Sequence, residues 1–374
     1  MSKIVPIDGR CEAGWEKVAG AFQANFSDHE EIGAAVSVVV DGSLVVDLFG
    51  GYKSANSDQI WQNDTLTNIW STTKGVVAVC FAMLVDRGLL KYDDKVSHHW
   101  PEFAAAGKDR VTIGMLLSHQ AGLSGFRHEA TIEDFYDARA AAERLAEMEP
   151  WWTPGTKSGY HATTIGFLAT ELFQRVEGRS LKHFISDELT DFEVTIGLPE
   201  DIKNKASTLE APSNLDPTAT VGSLEALQVA ALANPPMDPQ LPNTAAWRAA
   251  EIPAANGFAT SRGLARLYGE LARDGGSLLS KAALDQATAL QISGVDAVLS
   301  IEASWASGFL LNTNGIYGPN PESFGHSGWG GSFAFADRER RIGMSYVMNK
   351  MGTDLIGDPR NTSLVAAVYN SLSD

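Results

Sequence analysis

A chain of 374 residues with 44% hydrophobic and 20% charged side chains is long enough for two or three domains and has the balance of a fully folding globular protein. Its 46 acidic against 29 basic residues give a formal charge of -17, which repels phosphate backbones and anionic lipid surfaces and excludes nucleic acid and membranes as expected partners. The start, Met-Ser-Lys-Ile-Val-Pro-Ile, has no apolar core of signal-peptide length, no stretch approaches the roughly 20 apolar residues of a membrane span, and Cys11 and Cys80 are too few for a disulfide framework, so a cytoplasmic protein with free thiols is expected.

In chain order, residues 10 to 26 read as a helix. Residues 34 to 50 form two β-rich runs around Asp41-Gly42, the dipeptide that favours a type I′ turn, and predict a hairpin. Ser71-Thr72-Thr73-Lys74 follows, the one Ser-x-x-Lys in the chain, and leads into Gly75-Val-Val-Ala-Val-Cys-Phe-Ala-Met-Leu-Val-Asp86. That run is apolar on nearly all sides, as in a helix buried between two layers. Ser71 then stands at the helix N-terminus with Lys74 one turn along on the same face.

The middle differs. Residues 111 to 118, 131 to 148, 163 to 177 and 180 to 190 have helical spacing and few strand signals. Between 199 and 253 lie eight of the fifteen prolines, which predicts irregular loop of the sort that lines sites. A helix resumes at 260 to 273. Residues 332 to 336 and 342 to 349 flank Asp337-Arg-Glu-Arg-Arg341 as a second hairpin, and a last helix covers 361 to 372. The expected fold is α/β of the α+β kind: residues 1–90 with 255–374 build a central antiparallel sheet flanked by helices, and residues 91–254 form a mainly helical domain.

Three segments carry chemistry. A serine hydroxyl is a poor nucleophile until a base takes its proton, and a lysine serves as that base only where burial or neighbouring cations lower its pKa, as a buried helix allows for Ser71 and Lys74. The positive end of that helix also favours a developing oxyanion. Second, Trp151-Trp152-Thr153-Pro154-Gly155-Thr156-Lys157-Ser158-Gly159-Tyr160-His161-Ala162 places Tyr160 just before a helix, where its hydroxyl can relay protons beside a lysine. Third, Phe324-Gly325-His326-Ser327-Gly328-Trp329-Gly330-Gly331-Ser332 is glycine-rich enough for backbone to approach a ligand and offer an N–H to an oxyanion. Taken singly, each has an ordinary structural reading: a helix cap, an aromatic at a loop corner, a tight turn with a structural histidine. No Gly-x-Ser-x-Gly, His-Glu-x-x-His or P-loop occurs, and His98-His99 is not at ligand spacing, so no metal or other cofactor is expected.

These segments, in this order, resemble the serine β-lactamase and penicillin-binding superfamily, with its signatures Ser-x-x-Lys, Tyr-x-Asn and Lys-Thr-Gly or His-Thr-Gly. Val111-Thr-Ile-Gly-Met-Leu-Leu-Ser-His119-Gln-Ala-Gly122-Leu and Gly159-Tyr-His-Ala-x-Thr-x-Gly166 extend the resemblance, which is nearest to the family VIII carboxylesterases. It implies a β-lactamase/DD-peptidase-like fold in which Ser71 forms the acyl-enzyme and Lys74 and Tyr160 shuttle its proton. The N–H groups of Ser71 and Trp329 make the oxyanion hole, and His326, Ser327, Gly328, Trp152 and His161 bind substrate. Trp151 and Trp305 are further aromatics for an apolar pocket. Two departures matter: Ala162 stands where the family has asparagine, and His326 where true β-lactamases have lysine. Both favour esters, which need less help with the leaving group than amides. The expected activity is a serine carboxylesterase for small to medium acyl esters, with a β-lactamase, amide hydrolase or acyltransferase on the same machinery as the alternative. The expected partner is a small-molecule ester, and a homo-oligomer is compatible with it.

Overall fold

The computed structural model describes residues 5–212 and 224–372. Its strands are β1 (Ile7–Cys11), β2 (Gly33–Val40), β3 (Ser43–Gly51), β4 (Thr67–Asn68), β5 (Val194–Ile196), β6 (Gly257–Ala259), β7 (Ile292–Val295), β8 (Glu302–Trp305), β9 (Leu310–Leu311), β10 (Phe324–Ser327), β11 (Phe333–Asp337) and β12 (Ile342–Met348). Nine of them form one antiparallel sheet in the order β1-β3-β2-β12-β11-β10-β9-β8-β7, and β4-β6-β5 make a small second sheet. The helices are α1 (Glu16–Asp28), α2 (Thr73–Asp86), α3 (Val96–His99), α4 (Ile113–Leu117), α5 (Ala138–Glu147), α6 (Thr164–Glu177), α7 (Leu181–Glu188), α8 (Ala226–Leu232), α9 (Ala245–Ala249), α10 (Ser261–Ala272), α11 (Lys281–Thr288) and α12 (Pro359–Ser371). None is long and apolar enough to cross a membrane.

Both hairpins form where expected. Asp41 and Gly42 have φ of 48° and 82°, the two positive angles that a type I′ turn needs. Residues 33–39 of β2 are all buried because helices cover both faces of the sheet, which is why the strand reads as a nearly unbroken apolar run instead of an alternation. On β12 the Ser345 hydroxyl bonds Ser261 of α10, while the Tyr346 hydroxyl bonds Glu31, itself paired with Arg360 of α12. Neighbouring strand residues face opposite sides, so α10 lies on one face and α12 on the other. Helix α2 is buried from Thr73 through Leu84 and shows no polar stripe.

Three expectations change. Residues 10 to 26 do not begin as helix: β1 occupies Ile7–Cys11 and α1 starts at Glu16. Asp8, Gly9 and Arg10 are exposed on an edge strand, so no apolar alternation marks it. The proline-rich stretch is more regular than predicted, since α8 and α9 lie inside it with 3-10 turns at Glu200–Lys205 and Leu241–Asn243; residues 213–223 of that stretch lie outside the described residues. The helical middle also contributes β5, and β7, β8 and β9 extend the main sheet; strands of two to four residues are too short to show a period.

Candidate active site

Ser71 sits in a 3-10 turn, Trp70–Thr72, that runs straight into α2. The turn is held from several sides. Trp70 has a φ of 44°, a costly conformation for a tryptophan that only surrounding structure can maintain. Ser332 donates to the Ile69 carbonyl at 2.8 Å, which leaves Thr72 to supply the proton of its 3.0 Å bond to Ser332. Thr73 donates to the Trp70 carbonyl at 2.5 Å and accepts from the Gly257 N–H at 3.0 Å. Gly328 fits because a Cβ there would lie 2.3 Å from the Ile69 carbonyl oxygen. The glycine-rich hairpin tip therefore lies directly against the turn that aims Ser71.

Lys74 lies one turn further, with Nζ 2.9 Å from Ser71 Oγ. The same nitrogen donates to the Ala162 carbonyl at 2.7 Å and the Ala254 carbonyl at 3.0 Å. Burial holds the Lys74 pKa well below its ordinary value of 10.5. A neutral amine has two N–H groups and one lone pair. Carbonyl oxygens only accept, so the two carbonyls take both N–H groups and the lone pair is left for the Ser71 hydroxyl.

Tyr160 and Ser71 line the same small gap, and Lys74 Nζ stands 4.8 Å from the centre of the Tyr160 ring. Burial pushes the Tyr160 pKa up, so the phenol keeps its proton. Its ring is stacked on Trp305 at 5.7 Å and meets the edge of His119 at 5.0 Å. Asp296, fully buried, fixes this unit: Oδ1 accepts from the N–H groups of Tyr160 at 2.9 Å, Val298 at 3.0 Å and Leu299 at 3.1 Å, and Oδ2 accepts from Trp305 Nε1 at 3.3 Å.

The gap over Ser71 is lined by Tyr160, Leu299, Trp305, His326, Ser327, Trp329, Leu355 and Ile356. His326 donates from Nδ1 to the Ser327 carbonyl at 2.8 Å, which leaves Nε2 as a buried acceptor with no bond to any described residue. Burial, and then Lys74, lower its pKa to about 3, so the imidazole is neutral. Trp329 is half-buried with its ring 5.1 Å from that of Trp70. The turn that carries it is tied to buried Arg360, whose Nη2 donates to the Gly330 carbonyl at 2.6 Å. Arg360 is in turn held by Glu31 at 2.8 Å and Asp358 at 2.7 Å.

The structure thus brings together Ser71, Lys74, Tyr160, His326, Ser327 and Trp329, and it separates two residues expected to touch substrate, His161 and Trp152. His161 is completely buried; Nε2 accepts from the Leu123 N–H at 3.1 Å and Nδ1 donates to the Gly159 carbonyl at 2.7 Å. It therefore braces the Tyr160 segment from behind, and burial lowers its pKa to about 4. Trp152 packs against Gly159, donates to the Lys157 carbonyl at 3.1 Å, and does not line the gap. Gly328, between the gap-lining Ser327 and Trp329, packs against the turn that carries Ser71. Trp151 is also away from the gap, with Arg127 4.3 Å from its ring centre. Sequence reasoning missed Asp296, Ala254, Leu299, Leu355, Ile356 and Arg360. Ala254 had no signal to give, since any residue has a carbonyl. Among the described residues no group of His, Cys, Asp or Glu side chains is placed to hold a metal ion.

A serine at the start of a buried helix, a lysine one turn on and a tyrosine from the helical region, beside an antiparallel sheet, are the arrangement of a serine hydrolase of the penicillin-recognising fold. The Beta-lactamase family model matches residues 17–367, and the chain belongs to that family. It is 32% identical to Esterase/beta-lactamase LipL of Mycobacterium tuberculosis (strain ATCC 25618 / H37Rv) over 94% of this chain and 84% of that protein. Among solved structures, a family VIII carboxylesterase is 40% identical with a TM-score of 0.92, covering 98% of this chain and 100% of the other. A penicillin-binding protein homologue from Caulobacter crescentus is 43% identical, with the same TM-score of 0.92 and the same coverage, 98% and 100%.

Proposed function

We propose that the protein is a serine carboxylesterase in which Ser71 is the nucleophile, Lys74 its base and Tyr160 the acid for the leaving group. The neutral Lys74 amine removes the Ser71 proton as Oγ bonds to the ester carbonyl carbon. The carbonyl oxygen becomes an oxyanion between the N–H groups of Ser71 and Trp329, neither of which donates to a described residue. Collapse expels the alkoxide, which takes the Tyr160 phenolic proton, and the Lys74 ammonium reprotonates the phenol. Water then attacks the acyl-enzyme by the reverse relay, releasing the acid and restoring Ser71.

The observation that carries this reading is the Lys74 amine, buried, 2.9 Å from Ser71 Oγ, with its other two bonds made to carbonyls. The preference for esters is supported by His326, a neutral acceptor that offers no positive charge to a β-lactam carboxylate. The likeness to LipL and to the penicillin-binding protein homologue keeps β-lactam hydrolysis as a second, weaker activity on the same groups. On the expected division into residues 1–90 with 255–374 and residues 91–254, the gap falls where Tyr160 of the second part meets Ser71 and His326 of the first, and unpaired Cys11 and Cys80 fit a reducing, cytoplasmic setting. The test is turnover of p-nitrophenyl butyrate against a chromogenic cephalosporin, with fluorophosphonate labelling followed by intact mass. The ester should be the faster substrate, and a single adduct should vanish in Ser71→Ala. Faster cephalosporin turnover would reverse the substrate preference, and an adduct that survives Ser71→Ala would remove the nucleophile.

A further inference from the structure

The gap directly over Ser71 measures about 10 Å³, space on the scale of one water and no more. A much larger cavity, about 380 Å³, lies next to it between α12 and the turn at 313–319, within the roughly 300–1,000 Å³ typical of small-molecule sites. Ile316, Tyr317, Phe333, Val365 and Ala366 give it mostly apolar walls, and Asn361 lines it with a buried amide oxygen that bonds no described residue.

Three observations join the two spaces. Ser327 lines both. Ile356 lines the gap, and the next residue, Gly357, lines the groove. Strand β9 pairs with Phe324 and Gly325 of β10 and stops there, which leaves the outer edge of His326 and Ser327 without a strand partner. Along that edge the two side chains point to opposite faces: His326 lies over α2, where a Cβ on Gly75 would be 3.4 Å from its Cβ, and Ser327 turns to the Tyr317 hydroxyl at 3.4 Å.

The direction of the substrate follows from the proton relay. The leaving oxygen must face Tyr160, so the acyl substituent points away from it, toward Ser327 and Ile356. We propose that the groove between α12 and the 313–319 turn is the acyl pocket: the chain runs along the open edge of β10, passes Ser327 and lies against Phe333, Val365 and Ala366. The substrate class is then an ester of a medium-length acyl group, for which Asn361 offers an acceptor to a hydroxyl or amide on the chain. This rests on the esterase reading.

Ala366 and Thr362 are exposed, line the groove and lie one turn apart on α12, so a tryptophan at either fills the groove while leaving the core and the catalytic groups untouched. The experiment measures kcat/KM for p-nitrophenyl acetate and p-nitrophenyl octanoate in the wild-type chain, Ala366→Trp and Thr362→Trp, with circular dichroism as the check on folding. The expected result is a loss of about tenfold or more on the octanoate with the acetate little changed, the scale of discrimination that apolar pockets achieve. An unchanged octanoate-to-acetate ratio in both folded variants, or a parallel fall in both esters, would overturn the pocket while leaving the esterase intact. Failure of the wild-type chain to turn over either ester would overturn the esterase reading and the pocket with it.

Discussion

Replacing Tyr160 with phenylalanine removes one oxygen from the site and leaves the ring where it is. The stack on Trp305 at 5.7 Å, the edge contact to His119 at 5.0 Å and the Asp296 bond to the backbone N–H at 2.9 Å involve no hydroxyl. Ser71 keeps its bond to Lys74 at 2.9 Å. The stability change should therefore be at most that of one neutral hydrogen bond, about 0.5–1.5 kcal/mol, and the unfolding midpoint should move little. The rate should fall by about 10²–10⁴-fold, or roughly 3–5 kcal/mol in barrier, because the alkoxide loses its proton donor. The informative assay compares two esters of one acid in Tyr160→Phe, one releasing p-nitrophenol, which departs readily as an anion, and one releasing a simple alkanol. The loss should be much larger for the alkanol ester. Equal losses on both would show that the phenol does not protonate the leaving group, and a loss below about tenfold would remove Tyr160 from the relay.

In the proposed relay Lys74 works only as the free amine, so kcat/KM should climb with pH through its lowered pKa and then level, and Lys74→Arg, which cannot deprotonate, should lose both the limb and the activity. The linkage has the same sign: below pH 10.5 the unfolded chain binds the Lys74 proton more readily than the folded one. Part of the wild-type gain in stability as pH rises toward 10.5 should therefore be missing in Lys74→Met, as urea unfolding can measure. Arg360→Met leaves Glu31 and Asp358 as uncompensated charges with side chains 0% and 4% exposed, and should cost about 3–5 kcal/mol in denaturant unfolding. It also frees the Gly330 carbonyl beside Trp329, so kcat should drop more than KM rises; an unchanged kcat would detach Arg360 from the oxyanion turn. Asp296→Asn swaps one accepting oxygen for an amide nitrogen, so either Trp305 Nε1 or the three N–H groups lose their partner. Activity should fall about tenfold to a hundredfold through a displaced Tyr160, and rates like the wild type would contradict that positioning.

Local rules of the chain were readable because they depend on residues close in sequence. The spacing of Ser71 and Lys74 places both on one face of any helix, Asp41-Gly42 can take two positive φ angles, and an unbroken apolar run from Val76 to Val85 has to be buried. The segment carrying His326 and Trp329 was marked by glycines whose need for close approach is itself a sequence property, as Gly328 against Ile69 shows. By contrast, β1 and β7 to β9 were invisible, because short or exposed strands carry no period until the sheet supplies their partners.

His161 and Trp152 show the limit from the other side. They stand beside Tyr160 in sequence, yet both pack behind the loop, and the residues that line the gap instead, Leu299, Leu355 and Ile356, come from distant loops. The sequence by itself determined which groups could react and that the serine and lysine would be neighbours. Only the tertiary structure decided their surroundings: the carbonyls of Ala162 and Ala254, the burial of Lys74 and the grip of Asp296 on Tyr160 all come from segments far apart in the chain. A lysine's charge state depends on the dielectric and the hydrogen-bond partners around it, and no local pattern of residues specifies those.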